Sequence, residues 1–105
     1  MSNELIKAME WLSWQLAMMY KVDEHNSSWF DAFGSDSQCS VEYDKRNERV
    51  VVDITTTTKD YDDEDNLVVS IKQEMEIWEI SIDDEDEDGL LGQMESILNY
   101  IRRSM

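Results

Sequence analysis

The sequence predicts an α+β domain in which a small antiparallel sheet of three to four strands carries an N-terminal and a C-terminal helix on one face. Apolar residues recur at helical spacing near both ends of the chain and alternate with polar residues in the middle. Asp, Asn, Ser and Gly residues separate the alternating segments. The predicted order of elements is α-β-β-β(β)-α, an economical way to bury the apolar surfaces of both helices.

Length and composition support a single domain over residues 1–105. A chain of 105 residues can bury one modest core, and 41% hydrophobic residues are too many for a disordered acidic tail. The lone Cys39 cannot form an internal disulfide, which fits a reducing compartment. Glu4 and Glu10 interrupt any secretory signal, and no window approaches the roughly 18 apolar residues of a membrane span. We therefore expect a soluble, cytoplasmic protein.

The first helix is predicted to run from a capping Ser2 to about Tyr20. Its core stripe consists of Leu5, Met9, Leu12, Leu16 and Met19. Trp11, Trp14 and Met18 recur at helical spacing on roughly the opposite side. A helix that is apolar on two sides is either enclosed or offers one side to a partner. The second stripe is thus either buried under the following loop or a hydrophobic anchor for a homodimer or another protein.

A hairpin over residues 38–44 and 48–57 is the clearest element of the middle region. The register that places its apolar side chains on one face forms three pairs: Tyr43 with Val50, Val41 with Val52, and Cys39 with Ile54. The preceding residues 21–38 are predicted to form a loop with one short strand over residues 29–33. The final helix is predicted over residues 89–103. Its apolar stripe consists of Leu90, Leu91, Met94, Ile97, Leu98 and Ile101.

Residues 66–82 also have the composition of a strand, but their apolar pattern changes phase. The odd positions hold Leu67, Val69, Ile71, Met75 and Ile77, and the even positions then hold Trp78, Ile80 and Ile82. Such a change indicates either a β-bulge near Ile77 and Trp78 or a turn near Gln73 and Glu74 that makes two strands. A helix is the weaker alternative, because β-branched residues are frequent here.

Negative charge is concentrated in residues 60–95, which contain fifteen acidic residues and one base, Lys72, and so carry −14 of the net charge of −16. Two acidic runs flank a strand. The predicted partner-binding residues are Asp60, Asp62, Asp63, Glu64 and Asp65; Glu74, Glu76 and Glu79; and Asp83, Asp84, Glu85, Asp86, Glu87 and Asp88. Alternate residues of a strand stand about 7 Å apart, so Glu74, Glu76 and, after the phase change, Glu79 are predicted to form a row.

Such a surface would be repelled by nucleic-acid phosphates and by anionic membranes, so the expected partner is a basic protein surface or a cation. A small, very acidic domain without proline resembles, as a class, the DNA-mimic inhibitors of phages and mobile elements, which block restriction, CRISPR or other DNA-binding proteins. The resemblance implies a non-enzymatic inhibitor of the anti-restriction or anti-CRISPR type. An alternative is an intracellular binding module, such as a toxin-immunity protein or a secretion chaperone, that uses Trp11, Trp14 and Met18. The acidity could also serve solubility alone.

A twelve-residue stretch near the last helix resembles the EF-hand calcium loop. Asp84, Asp86 and Asp88 stand at its positions 1, 3 and 5, Gly89 at position 6 and Glu95 at position 12. The resemblance implies that these four carboxylates bind calcium. The preceding segment is predicted to be a strand where an EF-hand has a helix, and a solvated acidic run at a helix N-terminus is the alternative reading.

Enzymatic motifs are missing from the sequence. One His and one Cys cannot build a Cys/His metal site, and the chain has no GxSxG, no Gly-rich phosphate loop and no HExxH. Asp23, His25, Ser27 and Ser28 are residue types of a catalytic triad, but adjacency in sequence is not triad geometry. We expect no catalysis, and no cofactor apart from the calcium considered above.

Overall fold

The computed structural model describes residues 3–26, 28–80 and 87–105, which form a five-stranded antiparallel sheet and two helices. The elements are α1 Asn3–Ala17, β1 Lys21–Asn26, β2 Trp29–Phe33, β3 Ser37–Asp44, β4 Arg49–Tyr61, β5 Leu67–Glu79 and α2 Glu87–Ser104. The strands lie side by side in sequence order, so β1 and β5 form the two edges of the sheet. The predicted α+β class is confirmed, with one strand more than the upper prediction.

The core lies between the two helices and one face of the sheet, which we call the inner face; the opposite face is the outer face. The core residues of the helices are Leu5, Ala8, Met9, Leu12, Leu16, Met94, Ile97, Leu98 and Ile101. Those of the strands are Phe30, Ala32, Cys39, Val41, Tyr43, Val50, Val52 and Ile54. The predicted helical stripes are confirmed except at Met19, which lies beyond the end of α1, and at Leu91; both are exposed.

The β3–β4 hairpin has the predicted register, with Tyr43 opposite Val50 and Cys39 opposite Ile54. Buried positions alternate along β3 and along the first half of β4, although Val51 is an apolar residue of the outer face. A slip of one residue would turn the buried side chains to the outer face. Strand β1 was wrongly predicted to be loop. Val22 is its only apolar residue, so its sequence shows no alternation, and it is held in place by backbone pairing with β2.

Strand β5 is continuous, so the predictions of a bulge and of a dividing turn were both wrong. Its pairing with β4 runs from Arg49–Glu79 to Tyr61–Leu67 without a change of register. The apolar residues at odd positions lie on the outer face, whereas Trp78 lies opposite Val50 on the inner face. Its ring packs edge-on against that of Tyr100, with 5.2 Å between the ring centroids. The phase change therefore marks a change in which face of one regular strand is apolar.

The β4–β5 hairpin projects beyond the rest of the sheet. Strand β3 pairs with β4 only as far as Thr56, whereas β4 and β5 remain paired up to Tyr61 and Leu67. Residues 57–71 therefore form a two-stranded arm, and the turn over residues 62–66 is its tip. The arm is joined to the body at Thr57, whose backbone N–H donates to the Asp36 carbonyl at 2.8 Å. The arm contributes to an elongated shape of 60 × 25 × 22 Å.

Candidate protein-binding surfaces

The tip of the arm is organised by Asp62. Its Oδ1 accepts the backbone N–H groups of Glu64 at 2.9 Å and Asn66 at 2.8 Å. These hydrogen bonds, that from Asn66 above all, lower the pKa of the Asp62 carboxyl. Asp65 takes the left-handed backbone conformation with a φ of 61°, which Asp tolerates better than most residues. Asp62, a predicted partner-binding residue, thus closes the turn while its side chain remains exposed.

The remaining acidic side chains of the first run face solvent at the tip. Asp63, Glu64 and Asp65 are exposed, and Asp60 is exposed while its Oδ1 accepts the backbone N–H of Tyr61 at 2.8 Å. The structure thus brings four of the predicted carboxylates together at one end of a narrow projection. Lys59 is the base next to them in the chain.

The predicted row on β5 is divided between the two faces of the sheet. Glu74 and Glu76 lie opposite Ile54 and Val52 and so belong to the inner face, whereas Glu79 lies opposite Arg49 on the outer face. The row fails at Glu79 because β5 has no bulge.

Glu74 and Glu76 also influence neighbouring groups. The Nζ of Lys72 lies 2.9 Å from Glu74 Oε1, and this hydrogen bond and charge raise the pKa of the lysine. Burial, and then the charges of Glu74 and Glu76, raise the pKa of Tyr100 on α2. The two carboxylates therefore lie beside the end of α2 as well as along the strand.

The second acidic run is largely outside the described residues. Asp83, Asp84, Glu85 and Asp86 belong to the segment that is not described. Glu87 and Asp88 begin α2, and their side chains are likewise not described.

Three of the four carboxylates predicted to bind calcium belong to this same region: Asp84 and Asp86 are outside the described residues, and the side chain of Asp88 is not described. Helix α2 runs without interruption from Glu87 past Glu95, so positions 4 to 12 of the motif are helical, and Gly89 does not form the sharp turn of an EF-hand. Within residues 3–26, 28–80 and 87–105, no group of three His, Cys, Asp or Glu side chains converges as metal ligands.

A polar cluster on the outer face was not predicted. Buried Asp31 accepts a hydrogen bond from Ser40 Oγ at 2.6 Å, and its other carboxylate oxygen lies 2.8 Å from His25 Nε2. Trp29 donates its indole N–H to Ser40 at 3.3 Å and stacks on His25 at 4.1 Å between ring centroids. The carboxylate lies between the hydroxyl and the imidazole, whereas nucleophilic catalysis requires the base to contact the hydroxyl.

The triad residue types in the β1–β2 turn have separate contacts. Ser28 donates to Asn26 Oδ1 at 2.7 Å, Ser27 is outside the described residues, and His25 pairs with Asp31 instead. The sequence carried no signal for the cluster, because Asp31 and Ser40 occupy ordinary polar positions of alternating strands.

Within the part of the chain that the structure describes, apolar side chains are exposed on two surfaces. Trp14 on α1 and Met18, the residue after its end, are about two-thirds exposed, while Trp11 packs partly against the core. A shallow groove lies beside them, between α1 and β1. The second surface is the outer side of β5. The sequence did not reveal it, because alternation does not tell which face of a strand meets the core. Its exposed residues are Leu67, Val69, Ile71, Met75 and Ile77.

The chain matches none of the protein-family models, and it matches neither a curated protein nor a solved structure. Among the residues that the structure describes, no helix is long and apolar enough to cross a membrane.

Proposed function

We propose that this chain is a non-enzymatic, cytoplasmic inhibitor that binds a nucleic-acid-binding protein by presenting a DNA-like negative surface. One observation carries the proposal: the arm is narrow, projects from the body and ends in the exposed carboxylates of Asp60, Asp63, Glu64 and Asp65. A groove that binds nucleic acid is lined with Lys and Arg side chains that contact phosphates. A slender acidic projection offers such a groove the charge that it is built to bind.

Two further carboxylates lie on β5 closer to the body, beyond residues 67–73, which hold no acid. From Leu67 to Glu76 the strand covers about 30 Å, at roughly 3.3 Å per residue. Glu74 and Glu76 lie on the inner side of this stretch, with Lys72 as its only base. Long-range attraction to a basic groove should make association fast, and salt should weaken it.

The test is capture of targets from a host lysate at graded salt, with competition by duplex DNA. The arm variant is Asp63→Asn, Glu64→Gln and Asp65→Asn, which removes three charges while Asp62 keeps the turn closed. Asn also suits the left-handed conformation of residue 65. The matched control is Glu10→Gln, Asp23→Asn and Glu42→Gln, which removes three exposed carboxylates from α1, β1 and β3.

We expect a captured nucleic-acid-binding protein that DNA displaces and that salt releases. The arm variant should bind it at least tenfold more weakly, and the control should bind within about twofold of the parent. Binding that is unchanged between low and high salt, or that falls equally in both variants, contradicts the proposal.

A second candidate, an intracellular binding module of the immunity or chaperone kind, is favoured by the exposure of Trp14 on α1 and of Met18 directly after it. Exposed aromatic residues are frequent anchors of protein interfaces. Trp14→Ala with Met18→Ala would then abolish capture of a salt-resistant partner while the arm variant still binds. If the double variant retains its partner, the α1 surface is not the binding site.

A further inference from the structure

Strand β5 is a long and regular strand at the edge of the sheet. It pairs with β4 on one side, and no other described element pairs with its second side. Eleven of its thirteen residues are exposed. An edge of this kind presents a row of free backbone N–H and C=O groups, to which another strand can pair.

The side chains of β5 are complementary to those of a second, antiparallel copy centred on Gln73. Lys72 then lies opposite Glu74 of the second copy, Ile71 opposite Met75, and Val69 opposite Ile77. Val68 lies opposite Trp78, and Ser70 opposite Glu76. Antiparallel neighbours of opposite charge, or both apolar, stabilise a sheet. Lys72, which contacts Glu74 of its own strand at 2.9 Å, therefore also meets Glu74 of the second copy. The apolar outer-face residues from Val69 to Ile77 meet one another, while Leu67 lies opposite Glu79.

The neighbouring registers lack this complementarity. Centring the pair on Lys72 brings two lysines face to face, and centring it on Glu74 brings two glutamates face to face. Like charges directly opposite each other destabilise a strand pair. Registers centred between two residues, instead of on one residue, would place outer-face residues opposite inner-face residues.

We propose that two copies of this chain pair through β5, antiparallel about Gln73, to form a ten-stranded sheet across a two-fold axis. The contact uses the same surface on both copies, as a two-fold interface requires. Residues 67–71 in the arm of each copy pair with residues 75–79 of the other, which are backed by the base of β4. Each arm, a two-stranded ribbon by itself, thereby gains a third strand.

The dimer proposal does not depend on the proposed inhibitor function, and the two are expected to respond to salt in opposite directions. Each copy carries a net charge of −16, so the two copies repel each other at low ionic strength. Screening should strengthen the dimer as salt rises, whereas binding to a basic target should weaken. Failure of one proposal therefore leaves the other testable.

The first experiment is sedimentation of charge variants of the full chain, singly and mixed, at high salt. Lys72→Glu places two glutamates opposite each other, and Glu74→Lys places two lysines opposite each other. Each variant alone should dimerise at least tenfold more weakly than the parent. An equimolar mixture should form a heterodimer, because residues 72 and 74 of one copy then oppose opposite charges on the other.

Disulfide trapping tests the register. Gln73→Cys should oxidise to a covalent dimer, because two copies of residue 73 face each other across the axis at a separation that a disulfide can span. Ser70→Cys is the control, because its two copies lie six residues apart along the strand, about 20 Å. Cys39 can remain, since it is fully buried and burial raises its thiol pKa to about 12.

A monomer at every salt and protein concentration would overturn the proposal. Equal trapping through Ser70→Cys and Gln73→Cys would overturn it as well. A dimer that is unaffected by Lys72→Glu but lost in Trp14→Ala with Met18→Ala would place the contact on α1 instead.

Discussion

The two edges of the sheet differ in length, regularity and chemistry. Strand β1 has six residues, its pairing with β2 is irregular between Glu24 and Asn26, and its side chains are mostly charged or polar. It is also tied to its neighbours, because buried Ser13 of α1 donates to Glu24 at 2.8 Å. Strand β5 has thirteen residues, a regular ladder and a line of exposed apolar side chains.

Short length, charge and bulges are the features by which natural sheets prevent edge-to-edge association. Strand β1 has all three, and β5 lacks the first and third. The acidic residues of β5 give partial protection, because some registers with another copy, such as that centred on Glu74, bring glutamates together. One edge of the sheet is therefore protected against pairing, while the other can pair with a strand whose charges fit.

The largest expected difference between the two sides lies in how they use apolar residues. Phe30 in β2, next to β1, is 3% exposed, whereas Ile71 in β5 is 70% exposed. Phe30→Ala should lower the free energy of unfolding by about 3–5 kcal/mol, because it leaves a cavity in the core. Ile71→Ala should change it by less than about 0.5 kcal/mol in dilute protein. Urea denaturation measures both, and a large cost at Ile71 would show that this side chain is buried in the monomer.

A smaller difference is expected between two outer-face aspartates. Asp31→Ala should cost about 1–3 kcal/mol, because Ser40 and His25 lose the buried carboxylate that they contact. Asp53→Ala removes the exposed hydrogen bond that Asp53 accepts from Gln73 of β5, and it should cost less than about 0.5 kcal/mol. Urea denaturation again tests the pair. Equal costs would mean that the polar cluster near β1 does not stabilise that side of the sheet.

The smallest effect concerns pH and the tip of the arm. The folded-state pKa of Asp62 lies below the ordinary value of 3.8, so its stabilisation is complete above that value and is lost as pH falls through the folded pKa. NMR signals of the Glu64 and Asn66 amides should shift with a midpoint below 3.8 in the parent. They should lose this step in Asp62→Asn but keep it in Asp63→Asn. A midpoint above 3.8 would contradict the hydrogen bonding at the tip.

The parts of the fold that could be predicted are those whose buried faces repeat in the sequence. The β3–β4 register followed from alternation in both strands, and the helices from their stripes. Strand β1 could not be predicted, because with Val22 as its only apolar residue nothing distinguishes it from a loop. Alternation in β5 showed that two faces differ, but periodicity does not tell which face meets the core.

The candidate site was predictable only where it depends on local sequence. The acidic tip follows from a run of acids in a turn between two strands. The separation of Glu79 from Glu74 and Glu76 depends on the absence of a bulge, which the apolar pattern contradicted. The contact of Asp31 with Ser40 and His25 joins three strands, and the exposure of Trp14 depends on what packs beside α1. Both depend on tertiary structure, so the local sequence does not predict them.

Strand β4 passes from the body into the arm, so the free energy of local opening differs between its two halves. Its first half lies between β3 and β5 with Val50, Val52 and Ile54 in the core, while residues 58–61 pair only with β5 and are exposed. Local opening free energies depend on such burial. Amide hydrogens of the first half should exchange only on global unfolding, and those of the arm through local fraying. The outer end of the arm can therefore adapt to a bound surface while the fold that carries it stays intact.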